Sequence, residues 1–465
     1  MNMINVRRLT VMTFLGAGML SGISAQVSPL QVDTLKETKI PDQWDLQSCI
    51  DYAKEQNITI RKNRITAAST QIDVKTAKAA MFPSLSFSTS QQVVNRPYQE
   101  TSSRVSGNEI ISSNSKTSYN GNYGLNASWT LYNGNKRLKT IQQEKLNNQM
   151  AELDVATSEN NIQESIAQVY IQILYAAESV KVNESTLQVS IAQRDRGQEL
   201  LNAGSIAKSD FAQLEAQVST DRYQLVTAQA TLEDYKLQLK QLLELDGENE
   251  MNIYLPALSD ENVLAPLPTK RDVYISALSL RPEIEASKLN VEASELGINI
   301  AKSSYFPTIS LSAGIGTNHT SGSDFTFGEQ VKNGWNNSIG LSVSVPIFNN
   351  RQTKSAVQKA KLQYETSMLS LLDEQKALYK TIESLWLDAN SAQQRYAAAN
   401  EKLKSTQISY ELISEQFNLG MKNTVELLTE KNNLLQAQQE QLQAKYMAIL
   451  NTQLLKFYQG DQLAI

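Results

Sequence analysis

The sequence is poor in the side chains that most active centres require. It holds one histidine, His319, and one cysteine, Cys49, in 465 residues. A lone cysteine cannot close an internal disulfide, and one of each leaves most hydrolytic triads and zinc sites unbuildable. No Ser/His/Asp set, metal-ligand cluster or phosphate-binding glycine loop is found, so the chain reads as neither an enzyme nor a cofactor or metal carrier. Proline (10) and glycine (19) are scarce and cluster at a few places; so few breakers imply very long helices. Positive charge is not in excess either. The net charge is −5, or −7 once Arg7 and Arg8 are removed with a leader. This argues against nucleic acid as a partner and suits a duct that favours cations. Beyond the leader no segment approaches 18 consecutive apolar residues, so any membrane crossing must be made by a closed β-barrel.

What is present begins with that leader. Arg7 and Arg8 precede an apolar stretch, Leu9 to Ile23, and Ser24-Ala25 is a small-residue cleavage site. Residues 1–25 read as a secretion signal, the apolar stretch being too short to span a membrane. Residues 26–43 form an N-terminal segment. No cysteine follows the leader directly, so a lipid anchor is not expected; Cys49 reads as a small, partly buried side chain.

The most informative pattern is an internal repeat. Ala79-Ala80-Met81-Phe82-Pro83-Ser84-Leu85-Ser86 matches Ser303-Ser304-Tyr305-Phe306-Pro307-Thr308-Ile309-Ser310 at a shift of 224, whereas Gly124-Leu125-Asn126-Ala127-Ser128 matches Gly340-Leu341-Ser342-Val343-Ser344 at 216. The shift remains 216 at Asn202-Ala203-Gly204 against Asn418-Leu419-Gly420. The second copy is thus shorter by 8 residues, lost between its two β segments. The repeats occupy 44–245 and 271–460. A linker at 246–270 with Pro256, Pro266 and Pro268 joins them, and a tail at 461–465 follows.

Each copy reads as a helix ending at an aromatic-Pro pair, a strand, a polar loop, a second strand, a very long helix and a returning helix. The strands are expected at about 84–94 and 121–132, then at 308–316 and 337–348. The long helices are expected from about Lys136 to Asn202 and Gln352 to Asn418, roughly 100 Å each at 1.5 Å per residue. Their seams follow a 4-3 rhythm: Ile162, Ile166, Val169, Ile173, Ala176, Val180 and Leu187, with Asn183 as a polar interruption. Leu214, Val218, Asp221 and Leu225 form another seam, and Leu428, Leu435, Leu442 and Ile449 recur every seven residues. Such a period brings helices side by side with left-handed coiling.

The strands alternate. Leu85, Phe87, Leu125, Trp129, Ile309, Leu311, Leu341, Val343 and Val345 fall on one face; small uncharged residues fall on the other. Lipid outside and a watery lumen inside would produce this pattern, as would any half-buried sheet. Phe82, Trp129, Tyr132, Tyr305, Phe306 and Phe348 sit near segment ends, where an interfacial girdle would lie. Four strands cannot enclose a passage; three copies sharing one barrel would supply twelve. The loops at about 97–118 and 317–335 would face outward, with His319 as a solvated loop residue. A periplasmic or surface coiled-coil scaffold or adhesin would account for the helices but not for the strands.

The ordered set of features, occurring twice from about Asp45 to Gly460, resembles the TolC-like outer-membrane efflux and secretion channels. The resemblance implies a mainly α fold with β. A coiled-coil α-helical barrel would join a trimeric 12-stranded transmembrane β-barrel in the outer membrane of a Gram-negative bacterium and extend into the periplasm. It implies a homotrimer in contact with lipid, a periplasmic adaptor protein at the helical tips, and an inner-membrane pump of the RND or ABC type. It also implies tip turns at Asn202, Gly204, Asn418 and Gly420, and a gate. By position the gate comprises Glu426 as an aperture carboxylate, Lys422 as a basic latch facing Ser209 and Asp210, and Phe417 as a latch aromatic without the hydroxyl. The family's next acid falls on Thr429, with Glu430 adjacent but pointing elsewhere on the helix.

Overall fold

The computed structural model describes residues 41–98, 102–106, 109–113, 116–246, 251–256, 263–321, 323 and 325–463. The leader and the expected N-terminal segment up to residue 40 lie outside these. Residues from Gln43 onward pack as one compact unit.

Where the sequence lacks breakers, helices run on. Helix α1 (Leu46–Gln56) and α2 (Ile58–Ala79) lead to β1 (Ser84–Asn95). A hairpin of β2 (Ser102–Ser106) and β3 (Glu109–Ser113) precedes β4 (Thr117–Asn133). Helix α3 (Lys136–Asn202) and the returning α4 (Lys208–Leu242) complete the first copy. The second copy holds α5 (Lys270–Leu280), α6 (Pro282–Ser303), β5 (Thr308–Thr320), α7 (Phe327–Asn333), β6 (Asn336–Ser344), α8 (Gln352–Asn418) and α9 (Thr424–Gln459). Helices α3 and α8 have 67 residues each, roughly 100 Å of rise.

The opening helix of each copy is broken rather than continuous. Asn57 separates α1 from α2: its side-chain oxygen accepts from the Thr59 N–H at 2.9 Å, while its amide donates to the Leu242 carbonyl at 3.0 Å. At the matching place Arg281 precedes Pro282, which sits at the first helical position, where its missing N–H costs nothing.

The copies also share backbone conformation. The described residues with positive φ form four pairs at the 216 shift: Gly134 with Asn350, Asn135 with Arg351, Gly204 with Gly420, and Glu244 with Gly460. Each pair marks the start or stop of a long helix.

Two apolar clusters hold the helices together. The larger one gathers Trp44, Cys49, Ile166, Tyr170, Leu174, Leu239 and Leu450 from α1, α3, α4, α9 and the flanking chain. The smaller one joins Val273, Ile284, Leu378, Ile382 and Leu455. The linker is fastened across both copies: Tyr170 Oη donates to the Tyr254 carbonyl at 2.6 Å, and Trp386 Nε1 donates to that of Pro268 at 2.9 Å.

The main sheet has the order β1-β4-β5-β6, all antiparallel. Strand β6 stops at Ser344, short of the expected 348, because Pro346 cannot donate to a ladder. Its repeat mate is Thr130, where β4 instead carries a bulge between Thr130 and Tyr132 and continues to Asn133. Both expected loops contain structure. The first holds the β2–β3 hairpin, and the second holds the end of β5 together with α7. His319, expected in a solvated loop, is a β5 residue only 9% exposed.

Candidate functional site

Register fixes which side chains share a face of the sheet. Leu85, Ala127, Ala313 and Ile339 form one row; Phe87, Leu125 and Ile315 the next, ending on β6 at the polar Asn337; Trp129, Leu311 and Leu341 another; and Ile309 pairs with Val343. Val345 continues the series just past β6. The opposite face carries Ser84, Ser128, Ser312 and Gly340, then Ser86, Asn126, Gly314 and Ser338, then Ser88, Gly124, Gly316 and Asn336. One face is therefore a contiguous apolar band, left open within the chain (Ile339 is 83% exposed). The other is a wall of small, uncharged, hydrogen-bonding groups. Trp129 Nε1 donates to the Met81 carbonyl at 2.8 Å, which satisfies its polar edge at one margin of the band.

At the far end of the helices both turns have the same build. Helix α3 ends at Asn202; Gly204 has φ of +70°, its N–H reaches the Leu201 carbonyl, and the Ser205 N–H reaches that of Leu200. Helix α8 ends at Asn418; Gly420 has φ of +75°, its N–H reaches Phe417, and Met421 reaches Gln416. This pair of bonds past a left-handed residue closes a helix, and glycine takes that conformation without a Cβ clash.

The returning helices then start alike. Asp210 and Glu426 occupy the same repeat position, 216 apart. The Asp210 carboxylate accepts from the Ala207 N–H at 3.3 Å. Glu426 and Asn423 cap each other: the Glu426 N–H donates to Asn423 Oδ1 at 2.9 Å, and the Asn423 N–H to Glu426 Oε2 at 3.2 Å. Within the chain Lys422 donates to Glu426 Oε1 at 2.6 Å, one turn ahead in its own chain segment. That bond first, and the Asn423 N–H second, hold the Glu426 carboxyl below the usual range. The acid is thus common to both tips, which differ instead in Lys422, whose repeat mate is Ile206, and in Lys208, whose repeat mate is Thr424. Ser209 is exposed, and Phe417 is buried at 3% exposure. Glu430 turns toward α8 and accepts from Ser409 Oγ at 3.1 Å. Leu419, Met421 and Val425 are exposed apolar residues on the second tip.

Two buried ionic clusters complete the site. About 10 Å up α9 from its first residue Thr424 at 1.5 Å per residue, Lys431 bonds both Asp221 of α4 and Ser190 of α3. Ser190 Oγ also donates to Asp221, and Gln217 Nε2 donates to the other Asp221 oxygen at 2.8 Å. Burial pushes the Lys431 ammonium down from its ordinary value. Farther along, Arg281 bonds Glu164 at 2.7 Å and Glu283 at 2.9 Å, with its guanidinium 3.9 Å from the Tyr458 ring. Sequence reasoning placed Asp221 in a helix seam without asking for a partner. A carboxylate at a seam position requires one, and that was the available signal.

The described residues include no helix long and apolar enough to cross a membrane and no group of His, Cys, Asp and Glu arranged to hold a metal. The family model for outer membrane efflux proteins matches residues 49–244 and again 273–460. The chain is 24% identical to outer membrane efflux protein BepC of Brucella suis over 63% of this chain and 61% of that protein. It is likewise 24% identical to outer membrane protein TolC of Escherichia coli over 61% and 58%; both alignments take in less than two thirds of those relatives. It is 21% identical to toxin and drug export protein A of Aggregatibacter actinomycetemcomitans over 89% and 87%. Among solved structures, CusC superposes with a TM-score of 0.75 at 19% identity, over 90% of this chain and 92% of that one. VceC from Vibrio cholerae superposes at 0.72 and 16%, over 90% and 97%. With the family model matching both halves of the chain, on a fold shared with solved outer-membrane channels, the protein belongs to the outer membrane efflux protein family.

Proposed function

We propose that the protein is the outer-membrane channel subunit of a tripartite efflux or type I secretion system, and that it conducts substrates passively through a gated trimeric duct. The sheet is the observation that carries this reading. It has two unpaired edges, β1 and β6, one apolar face, and one face of small polar side chains. An open apolar sheet of this kind is unstable in water. Pairing β6 with β1 of the next copy removes the edges, and three copies give a twelve-stranded wall with lipid outside and a hydrated lumen inside. Family membership sets the chain in the outer membrane of a Gram-negative cell, with its helices extending into the periplasm. The scaffold alternative offers no role for the two-faced sheet.

The tips are the gate and the adaptor-facing end. Three Glu426 carboxylates near the axis would attract cations, and Lys422 would close the aperture by exchanging Glu426 for Ser209 and Asp210 of a first-copy tip. Exposed Leu419, Met421 and Val425 offer the adaptor an apolar foothold beside Asn202, Gly204, Asn418 and Gly420. Adaptor docking would then shift the helices toward an open packing, and the pump, of RND or ABC type, supplies the energy. On this reading the channel has no catalytic role of its own. Purified protein in planar bilayers should conduct as a trimer and prefer cations. Failure to form channels, with the trimer intact, would reject the duct. A Lys422→Ala/Asp210→Ala variant should raise conductance, and an unchanged value would remove the latch alone.

A further inference from the structure

We propose that α7 is an interfacial foot that rests in the headgroup layer of the outer leaflet and fixes the height of the barrel in the membrane. The proposal builds on the reading of the apolar sheet face as the lipid face. Helix α7 folds back over the outer end of β5. Thr317 Oγ1 donates to the Val331 carbonyl at 2.7 Å, the Thr320 N–H donates to Gln330 Oε1 at 2.8 Å, and the Phe327 ring stands 5.0 Å from that of His319. Thr317 and His319 have the same parity along β5 as Ile309, Leu311 and Ile315. The helix therefore lies on the membrane side of the wall, beyond the last apolar row, and not in the lumen.

The seating is built rather than incidental. His319 is buried beneath Tyr119, Tyr123 and Phe327, with ring centroids 5.2, 5.8 and 5.0 Å away. Its strand partner is Gly121, where an added Cβ would come within 2.1 Å of the imidazole. The helix is capped by Thr326 and Glu329, whose carboxylate accepts from the Thr326 N–H at 2.8 Å. Mounted on this base, Phe325, Phe327 and Trp335 are 51%, 46% and 57% exposed. The amphipathic Trp335 indole at the edge of an apolar band belongs at the membrane–water boundary, and the apolar Phe325 and Phe327 rings beside it add area to bury there. From Tyr123 to Tyr132 β4 spans about 30 Å of strand. At a tilt of about 40° that is close to the roughly 25 Å band of an outer-membrane barrel. The foot thus sits at the outer margin, opposite the Trp129, Tyr132 and Phe306 margin.

The test uses fluorophores on Trp335→Cys, Phe325→Cys and Leu341→Cys in full-length trimers, reconstituted in phosphatidylcholine vesicles with lipids spin-labelled at the headgroup or deep in the acyl chain. Cys49, 0% exposed, remains unlabelled. The foot predicts that the 335 and 325 probes are quenched severalfold more by the headgroup label than by the deep label or by aqueous iodide. Leu341 should respond to the deep label. Quenching of 335 and 325 by iodide alone, or by nothing because another copy covers them, overturns the foot while Leu341 still reports lipid. A Leu341 probe quenched by iodide would overturn the lipid-face reading and the foot with it.

Discussion

Removing Asp221 should be costly, and removing its partner as well should restore most of the loss. The Asp221 and Lys431 side chains are 2% and 4% exposed. Every polar atom of the carboxylate is engaged, by Lys431, Ser190 and Gln217. Asp221→Ala leaves the ammonium buried with Ser190 as its remaining named partner, and breaking a buried pair on one side costs about 3–5 kcal/mol. An independent ceiling agrees: the lysine can escape by losing its proton, which at pH 7 costs about 4.6 kcal/mol from an ordinary pKa near 10.4. The repeat mate of position 221 is an alanine, Ala437, itself fully buried. Asp221→Ala/Lys431→Leu should therefore lie within about 1 kcal/mol of the native chain. The assay is hydrogen exchange of peptides covering 427–435, 217–225 and 186–194. A loss of about 3 kcal/mol speeds exchange by roughly a hundredfold. The sign of the pH dependence is also fixed. A lysine depressed in the fold has fewer bound protons folded than unfolded between its depressed value and 10.5, so stability rises with pH there. The Asp221→Ala defect should shrink from pH 7 to pH 9 after correction for intrinsic exchange. A double variant no better than Asp221→Ala, or a defect that grows with pH, would refute the reasoning.

Three further outcomes follow from the same structure. Lys422→Ala should raise the Glu426 pKa toward 4.5. The carboxylate then loses its charge at a higher pH on acidification, read as an upward shift of the pH midpoint at which cation selectivity is lost in bilayers; Glu426→Gln should weaken selectivity at neutral pH. Cys49 should resist aqueous maleimide in the native trimer and react only on unfolding, because burial raises its thiol pKa to about 12 and leaves it 0% exposed. Gly121→Ala should displace His319 and loosen α7, seen as faster motion of a spin label at Trp335→Cys with trimer stability retained.

Much of the fold was legible because it rests on periodicity and breakers, which are local properties. The two 67-residue helices follow from α8 having no Gly or Pro and α3 having only Gly197. The sheet followed from strict alternation. Helix α7 was also readable in principle, since Thr326 and Glu329 have the spacing of a capping box, but its Ser, Gly and Asn neighbours hid it. Buried pairing was not legible. Lys431 lies off the expected seam through Leu428 and Leu435, whereas the buried line near the tip is Thr424, Leu427, Lys431 and Leu434. Which charge faces which depends on how α9 lies against α3 and α4, and no local rule encodes that.

The repeat now carries a sharper meaning than self-similarity. Backbone features that end helices recur at the 216 shift, down to the residues with positive φ, and so does the acid that caps each returning helix. Some lysines recur as well, Lys145 with Lys361 and Lys240 with Lys456, but two on the second copy do not. Lys422 stands against Ile206, and Lys431 against the exposed Glu215. These two lysines lie on the second return helix and its turn. One pairs with a capping acid at the exposed tip, and the other binds α9 to the first copy in the interior. A surface pair such as Lys422 with Glu426 is worth little and is easily exchanged, whereas the buried pair is expensive to break. On the proposed gating, Lys422 with Glu426 is the pair that would exchange, and Lys431 with Asp221 the pair that would keep α9 joined to α3 and α4. Any opening of the aperture should pivot between residues 422 and 431.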